Sequence, residues 1–430
     1  MRISRTKRRV FKAVLFVMLC SFLEILSFGA FRLREGRWYS WSTAAQIRNS
    51  AGSSSTKLSL PVDTSATGAV HPYVGCVMPP NWEPNKMNMT WGEELTNHPC
   101  DGFPSFRPVV QKRSPNTVII GLFGGSVAEI FYYQGIPVLL EKLKEDPKYR
   151  GREFVVVCMA TGGFKQPQQL MALNYLLVQG GELDVLINVD GFNEVAFHAS
   201  GNQKQGVFPI YPRSWAARVG QIRDPHVLKL YGQAAILESD LRENGEFFSS
   251  VPMYYSPTCH LLWRATNQSL IRRLQAAKVD IENDHERDEL DRPGFGYHPS
   301  SEEEVYEELV GIWESSSRLI GELCAANAIQ YYHFLQPNQY VEGSKPMGDD
   351  ELQIAFREDH PYREGVTRGY PLLRQAGERL ALSGENFTDL TDAFRETQES
   401  VYIDDCCHFS DLGNRILAER IAEAILKSPN

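Results

Sequence analysis

The stretch Thr117–Ile130, TVIIGLFGGSVAEI, constrains this chain more than any other. An apolar run ends in Gly124-Gly125-Ser126 and gives way to a helix-compatible segment. A short apolar run bounded by turn residues has the pattern of a buried strand in a parallel sheet. The two glycines tolerate backbone angles that a Cβ forbids, so the chain can turn sharply there. Ser126 is thereby expected at the carboxyl end of a strand and the start of the next helix. Open α/β sheets carry their chemistry at that end, and the free N–H groups of a helix start favour negative charge.

The rest of the chain repeats this alternation. Strands are predicted at 117–123, 154–159, 185–189 and 329–335, with a short last one at 387–390. Helices are predicted at 129–145, 166–179, 302–328, 370–383 and 411–427, where apolar residues recur at three- and four-residue steps. Strands alternating with helices imply an α/β fold with a mainly parallel sheet and right-handed crossovers. Residues 199–301 break the pattern and read as an insertion that packs on the core or covers the site. Residues 71–114 are rich in proline and aromatics and read as an irregular lead-in.

The N-terminus is of a different kind. The first nine residues carry five positive charges, and 11–31 are mostly apolar. About 20 such residues span a bilayer, and the basic flank stays cytoplasmic. The expected organisation is a basic tail (1–10), a transmembrane signal-anchor (11–33), a polar stalk (34–70) and an extracytoplasmic domain (71–430). The alternative is a signal peptide cleaved near Ser27 and Gly29, leaving a secreted or periplasmic protein. Glu24 inside the apolar run is costly in lipid unless paired or near an interface. The net charge of −9, despite this basic start, argues against a nucleic-acid partner. The eight cysteines form no zinc-like spacing. A disulfide between Cys76 and Cys100 suits an oxidising compartment. Cys406-Cys407 beside His408 read as structural thiols rather than a metal site, so neither metal nor cofactor is expected.

Four places carry chemistry: Ser126, Gly162-Gly163, Asn193, and Asp405 with His408. A serine hydroxyl is a poor nucleophile until a base takes its proton. Histidine is a competent base near neutrality, and a carboxylate on one ring nitrogen leaves the other basic. Asp405 and His408, three residues apart, are neighbours if they share one helical turn. The N–H groups of Ser126 and Gly163 and the amide of Asn193 are the candidate donors for an oxyanion.

In this order the motifs resemble the SGNH (GDSL-like) hydrolase superfamily. Phe123-Gly124-Gly125-Ser126 resembles its first block, with Gly125 where many members have Asp. Thr161-Gly162-Gly163-Phe164 resembles the second, and Gly191-Phe192-Asn193-Glu194 the third, with Glu for the usual final Asp. Asp405-Cys406-Cys407-His408, continued by Ser410-Asp411-Leu412-Gly413-Asn414, resembles the last. The resemblance spans roughly 116–193 and 402–426. It implies a three-layer α/β/α sandwich with a flavodoxin-like sheet, Ser126 as nucleophile, His408 as base and Asp405 as its orienting partner. Ser126, Gly163 and Asn193 would form the oxyanion hole. Gly162 competes with Gly163, which is preferred because an aromatic follows it. The implied activity is an esterase or acyl transferase acting on an ester-containing small molecule or an acylated glycan. The rival is a binding or scaffold protein that keeps the fold without the reaction. A phosphate loop is excluded because Gly125-Ser126 lacks the lysine such loops need. The Gly-x-Ser-x-Gly elbow is excluded by Ala128 at its last position.

Overall fold

The computed structural model describes residues 5–42, 44, 69–78, 101–198, 208–213, 215, 225–285 and 299–428. Most of the expected stalk, Cys100 of the expected disulfide, and the ends of the expected insertion lie outside them.

By their contacts the residues fall into two compact units, Met1–Ser65 with Gln221–Glu289, and Ala66–Gly220 with Leu290–Asn430. In chain order the elements are α1 (Arg5–Glu35), β1 (Ala69–His71), β2 (Gly75–Val77), β3 (Thr117–Gly124), α2 (Ser126–Gln134), α3 (Ile136–Glu145), β4 (Glu153–Cys158), α4 (Gln168–Val178), β5 (Val185–Asp190) and α5 (Phe192–Phe197). They continue with α6 (Pro225–Ser249), α7 (Pro257–His285), α8 (Glu302–Ala326), β6 (Gln330–Leu335), α9 (Asp349–Ala355), α10 (Arg363–Leu382), β7 (Asn386–Asp389) and α11 (Asp411–Lys427).

The larger unit is an α/β/α sandwich around five strands in the order β4-β3-β5-β6-β7. Every neighbouring pair is parallel. Parallel strands are buried on both faces, and β3 shows how the pleat divides them. Ile120 and Leu122 join the cluster that holds Leu417, Ile421 and Ile425 of α11. Ile119 and Phe123 join the one that holds Leu170, Leu173 and Leu176 of α4. Successive strand residues face opposite sides, so one continuous apolar run serves both layers.

The order also fixes where a crevice opens. From β3 the chain crosses to β4 on one side, and from β5 it crosses to β6 on the other. Such a reversal leaves a crevice beyond the carboxyl ends of the two adjacent strands. Ser126 follows β3 and Asn193 follows β5, which places both at that reversal.

Two elements differ from expectation within this unit. The helix expected at 129–145 is two helices, broken at Gly135 with Pro137 in the first turn of α3. A Cβ at Gly135 would lie 2.2 Å from the Phe131 ring, so the close turn excludes a side chain. The region 336–368, expected as loop, contains α9 and the start of α10.

In the smaller unit α6 and α7 form an antiparallel hairpin, with Leu230, Ala234 and Leu237 packed among Leu274 and Ala277. Residues 7–34 of α1 are long and apolar enough to be a membrane anchor or a signal sequence, and almost none of that surface is buried. Phe31 is an exception, enclosed with Tyr39, Ala44 and Leu261 of α7.

Candidate active site

The turn ahead of Ser126 is built by two glycines with different duties. Gly124 has φ +143°, and a Cβ there would lie 2.1 Å from the Val189 carbonyl oxygen. Both conditions demand glycine. Gly125 caps α2, and a Cβ on it would strike Asn193 Nδ2 at 2.2 Å. Ser126 is the first residue of α2.

The C-terminal tail brings His408 to this turn. Tyr402 and Phe409 pair as an isolated antiparallel bridge, and Ser410 caps α11 by accepting from Gly413 N. Between them His408 Nε2 lies 2.8 Å from Ser126 Oγ. Its Nδ1 lies 2.5 Å from Asp404 Oδ2. The carboxylate behind the ring is therefore Asp404, not Asp405. Residues 404–407 form a bend rather than a helical turn. Asp404 Oδ1 closes that bend by accepting from the N–H groups of Cys406, Cys407 and His408. Closure through that side chain aims residue 404 at the ring. Asp405 turns outward to Arg357 at 3.4 Å and His360 at 3.7 Å.

The electrostatics follow this contact. Burial alone would raise the Asp404 carboxyl. The hydrogen bond and charge of His408, with the N–H groups of His408 and Cys407, outweigh burial and hold it below the ordinary carboxylate value. Burial likewise opposes the charged form of His408, but Asp404 prevails and raises its pKa above 6.5.

Across the crevice, the loop after β4 and the turn after β5 are tied together. Glu194 accepts from Gln166 N and Gly191 N, each at 2.9 Å. Burial and the neighbouring Asp190 push its carboxyl up to about 8. Asp190 in turn accepts from Gln166 Nε2, Asn188 Nδ2, Trp313 Nε1 and His333 Nε2. Asn193 Nδ2 donates to Phe164 O at 2.6 Å, which uses one of its two hydrogens. Gly162 N donates to Glu129 Oε2 at 2.9 Å. Gly163, at φ +83°, has no hydrogen-bond partner for its N–H among the described residues, so it is the glycine with a donor to offer.

Sequence reasoning singled out Ser126, His408, Gly163 and Asn193, and these four are brought to one crevice. It missed Asp404 and Glu129. Glu129 stands three residues after Ser126 on α2, and its burial pushes the carboxyl up to about 7. The signal available was that spacing, which puts a helix-start carboxylate beside the serine. Cys406, Cys407 and His408 present ligand atoms within 4.8 Å of one another. Both ring nitrogens of His408 are already engaged by Asp404 and Ser126.

No protein-family profile matches the chain, and no curated protein sequence matches it. Among solved structures, an acetyl xylan esterase superposes at 12% identity with a TM-score of 0.35, covering 72% of this chain and 100% of its own. The lipase Lip_vut3 from a goat rumen metagenome superposes at 13% identity with a TM-score of 0.32, covering 71% of this chain and 97% of its own.

Proposed function

We propose that this chain is a serine esterase or acyl transferase of SGNH type. The observation that carries the reading is the line Ser126–His408–Asp404, with a basic ring nitrogen 2.8 Å from the hydroxyl. Ser126 Oγ attacks the acyl carbon while His408 Nε2 takes its proton. The resulting oxyanion faces the N–H groups of Ser126 and Gly163 and the second hydrogen of Asn193 Nδ2. Each such donor lowers the barrier by roughly 3 kcal/mol. His408 then returns the proton to the departing alkoxide, leaving an acyl-serine. Water or a second alcohol, deprotonated by the same ring, releases the acyl group and restores Ser126. Hydrolysis and transfer differ only in that last acceptor.

The reading extends to the anchor. Glu24 and Ser27 of α1 are hydrogen-bonded to the start of α7, and Phe31 is enclosed beside it. Cleavage near Ser27 and Gly29 would remove Glu24 from α7, which favours a retained anchor, and the basic residues ahead of α1's apolar run favour an extracytoplasmic domain. A surface ester, such as an acylated glycan or a lipid, suits that location.

Ser126→Ala is expected to remain folded and to lose turnover of a short-chain aryl ester. Undiminished turnover in that variant excludes the assignment. A fluorophosphonate probe separates enzyme from scaffold: a covalent adduct on Ser126 is expected, and a folded chain that takes none is a binder.

A further inference from the structure

The tip of the α6–α7 hairpin has a composition unlike the rest of the chain. No charged residue occurs between Glu246 and Arg264, and the segment reads FFSSVPMYYSPTCHLLW. Much of it is displayed rather than packed: Phe247 is 55% exposed, Val251 75% and Leu262 54%. Trp41, just beyond α1, meets Tyr255 edge to face at 4.9 Å, and both are exposed. A cluster of aromatics with apolar side chains around it is what a soluble surface avoids and a bilayer boundary favours.

The contacts of the tip fix its height on α1. Ser256 caps α7 by accepting from Cys259 N, and it donates to Glu24 Oε1. Thr258 N reaches Glu24 Oε2, and Thr258 Oγ1 pairs with Ser27 Oγ. The acidic charge thus lies against the positive start of α7, which offsets its cost in an apolar setting. Glu24 precedes Phe31 by seven residues, about 10 Å along the helix. Phe31 ends the apolar run, and His260 and Leu261 of α7 meet it there. The start of α7 therefore reaches about 10 Å inside the outer end of the apolar segment, the depth at which interfacial helices seat their apolar faces.

We propose that residues 247–263 form a second membrane contact, seated in the outer boundary of the same phospholipid bilayer that α1 crosses. This rests on reading α1 as a retained anchor. The occupant is lipid because the tip packs on α1, adds exposed apolar side chains to its exposed apolar surface, and hydrogen-bonds the one acidic side chain within the apolar run.

The test uses the full chain in phosphatidylcholine vesicles, with p-benzoylphenylalanine placed singly at Phe16, Val251, Leu262 or Ile236. Irradiation followed by mass measurement reads the adducts. Lipid adducts are expected at Val251 and Leu262 in yield comparable to Phe16. None is expected at Ile236, which is equally exposed on the same hairpin but about 22 Å along α6 from Val251. Adducts at Phe16 without any at Val251 and Leu262 overturn this inference and leave the anchor standing. Absence at Phe16 as well overturns the anchor. Adducts at Val251 to a second copy of the chain instead of lipid overturn the proposal in favour of self-association.

Discussion

Two adjacent aspartates divide the labour at the C-terminal bend, and their separation is measurable. Asp404→Asn removes the charge that fixes the His408 ring and raises its pKa. A loss of about 10²–10⁴ in kcat for an aryl ester is expected, since general base catalysis depends on that ring. Asp405→Asn, whose carboxylate faces Arg357 and His360, is expected to stay close to the parent enzyme. Equal losses in both variants would refute the assignment of Asp404. The pH profile carries the sign. As the proposed base, His408 would act only when neutral, and its pKa is raised, so activity is expected to fall with decreasing pH through a midpoint above 6.5. A midpoint at or below 6.5 in kcat/KM would show that burial of the ring outweighs Asp404. The sequence contained both aspartates, but the choice between them was not legible. Helical spacing favours the residue three before the histidine, whereas a bend closed by a side chain favours the one four before.

At the scale of elements, the strands and the last helix were readable because their apolar runs and periodicity are set locally. The break between α2 and α3 was less so, because the tight approach of Gly135 to Phe131 depends on tertiary packing. Glu194 shows how elements are fastened to one another. Both of its oxygens accept backbone N–H groups, one from the loop after β4 and one from the turn after β5. Glu194→Gln puts an amide donor where an acceptor is needed. It should cost about 1–3 kcal/mol in stability and lower kcat more than it changes KM, by displacing Gly163 and Asn193. Denaturant titration and steady-state kinetics check this; an unaltered kcat would show that the tie does not position the donors. A second fastening lies under the bend. Lys345 and Glu351 form a buried pair at 2.6 Å, and Glu351 also accepts from Val401 N and Tyr402 N. Lys345→Met strands that carboxylate and is expected to cost about 3–5 kcal/mol, read as a fall in the unfolding midpoint.

For the whole molecule, the order β4-β3-β5-β6-β7 opens the crevice and sets Ser126 opposite Asn193. The pairing of α1 with α7 turns the N-terminal segment into part of a helical unit. With α1 retained as the proposed anchor, the full chain should sediment with membranes and resist alkaline extraction while retaining residues ahead of Gly29. A soluble product that begins after Ser27 would instead establish a cleaved signal. By itself the sequence determined the α/β alternation, the serine turn, and the histidine ahead of the last helix. These follow from local periodicity, glycine conformation and side-chain chemistry. Tertiary structure alone decided which aspartate meets the histidine, which glycine gives its N–H to Glu129, and what Glu24 is bonded to. The first depends on how the bend at 404–408 closes, the second on Glu129 meeting a loop 33 residues on, and the third on a contact across 232 residues; none of these leaves a periodic trace in the chain.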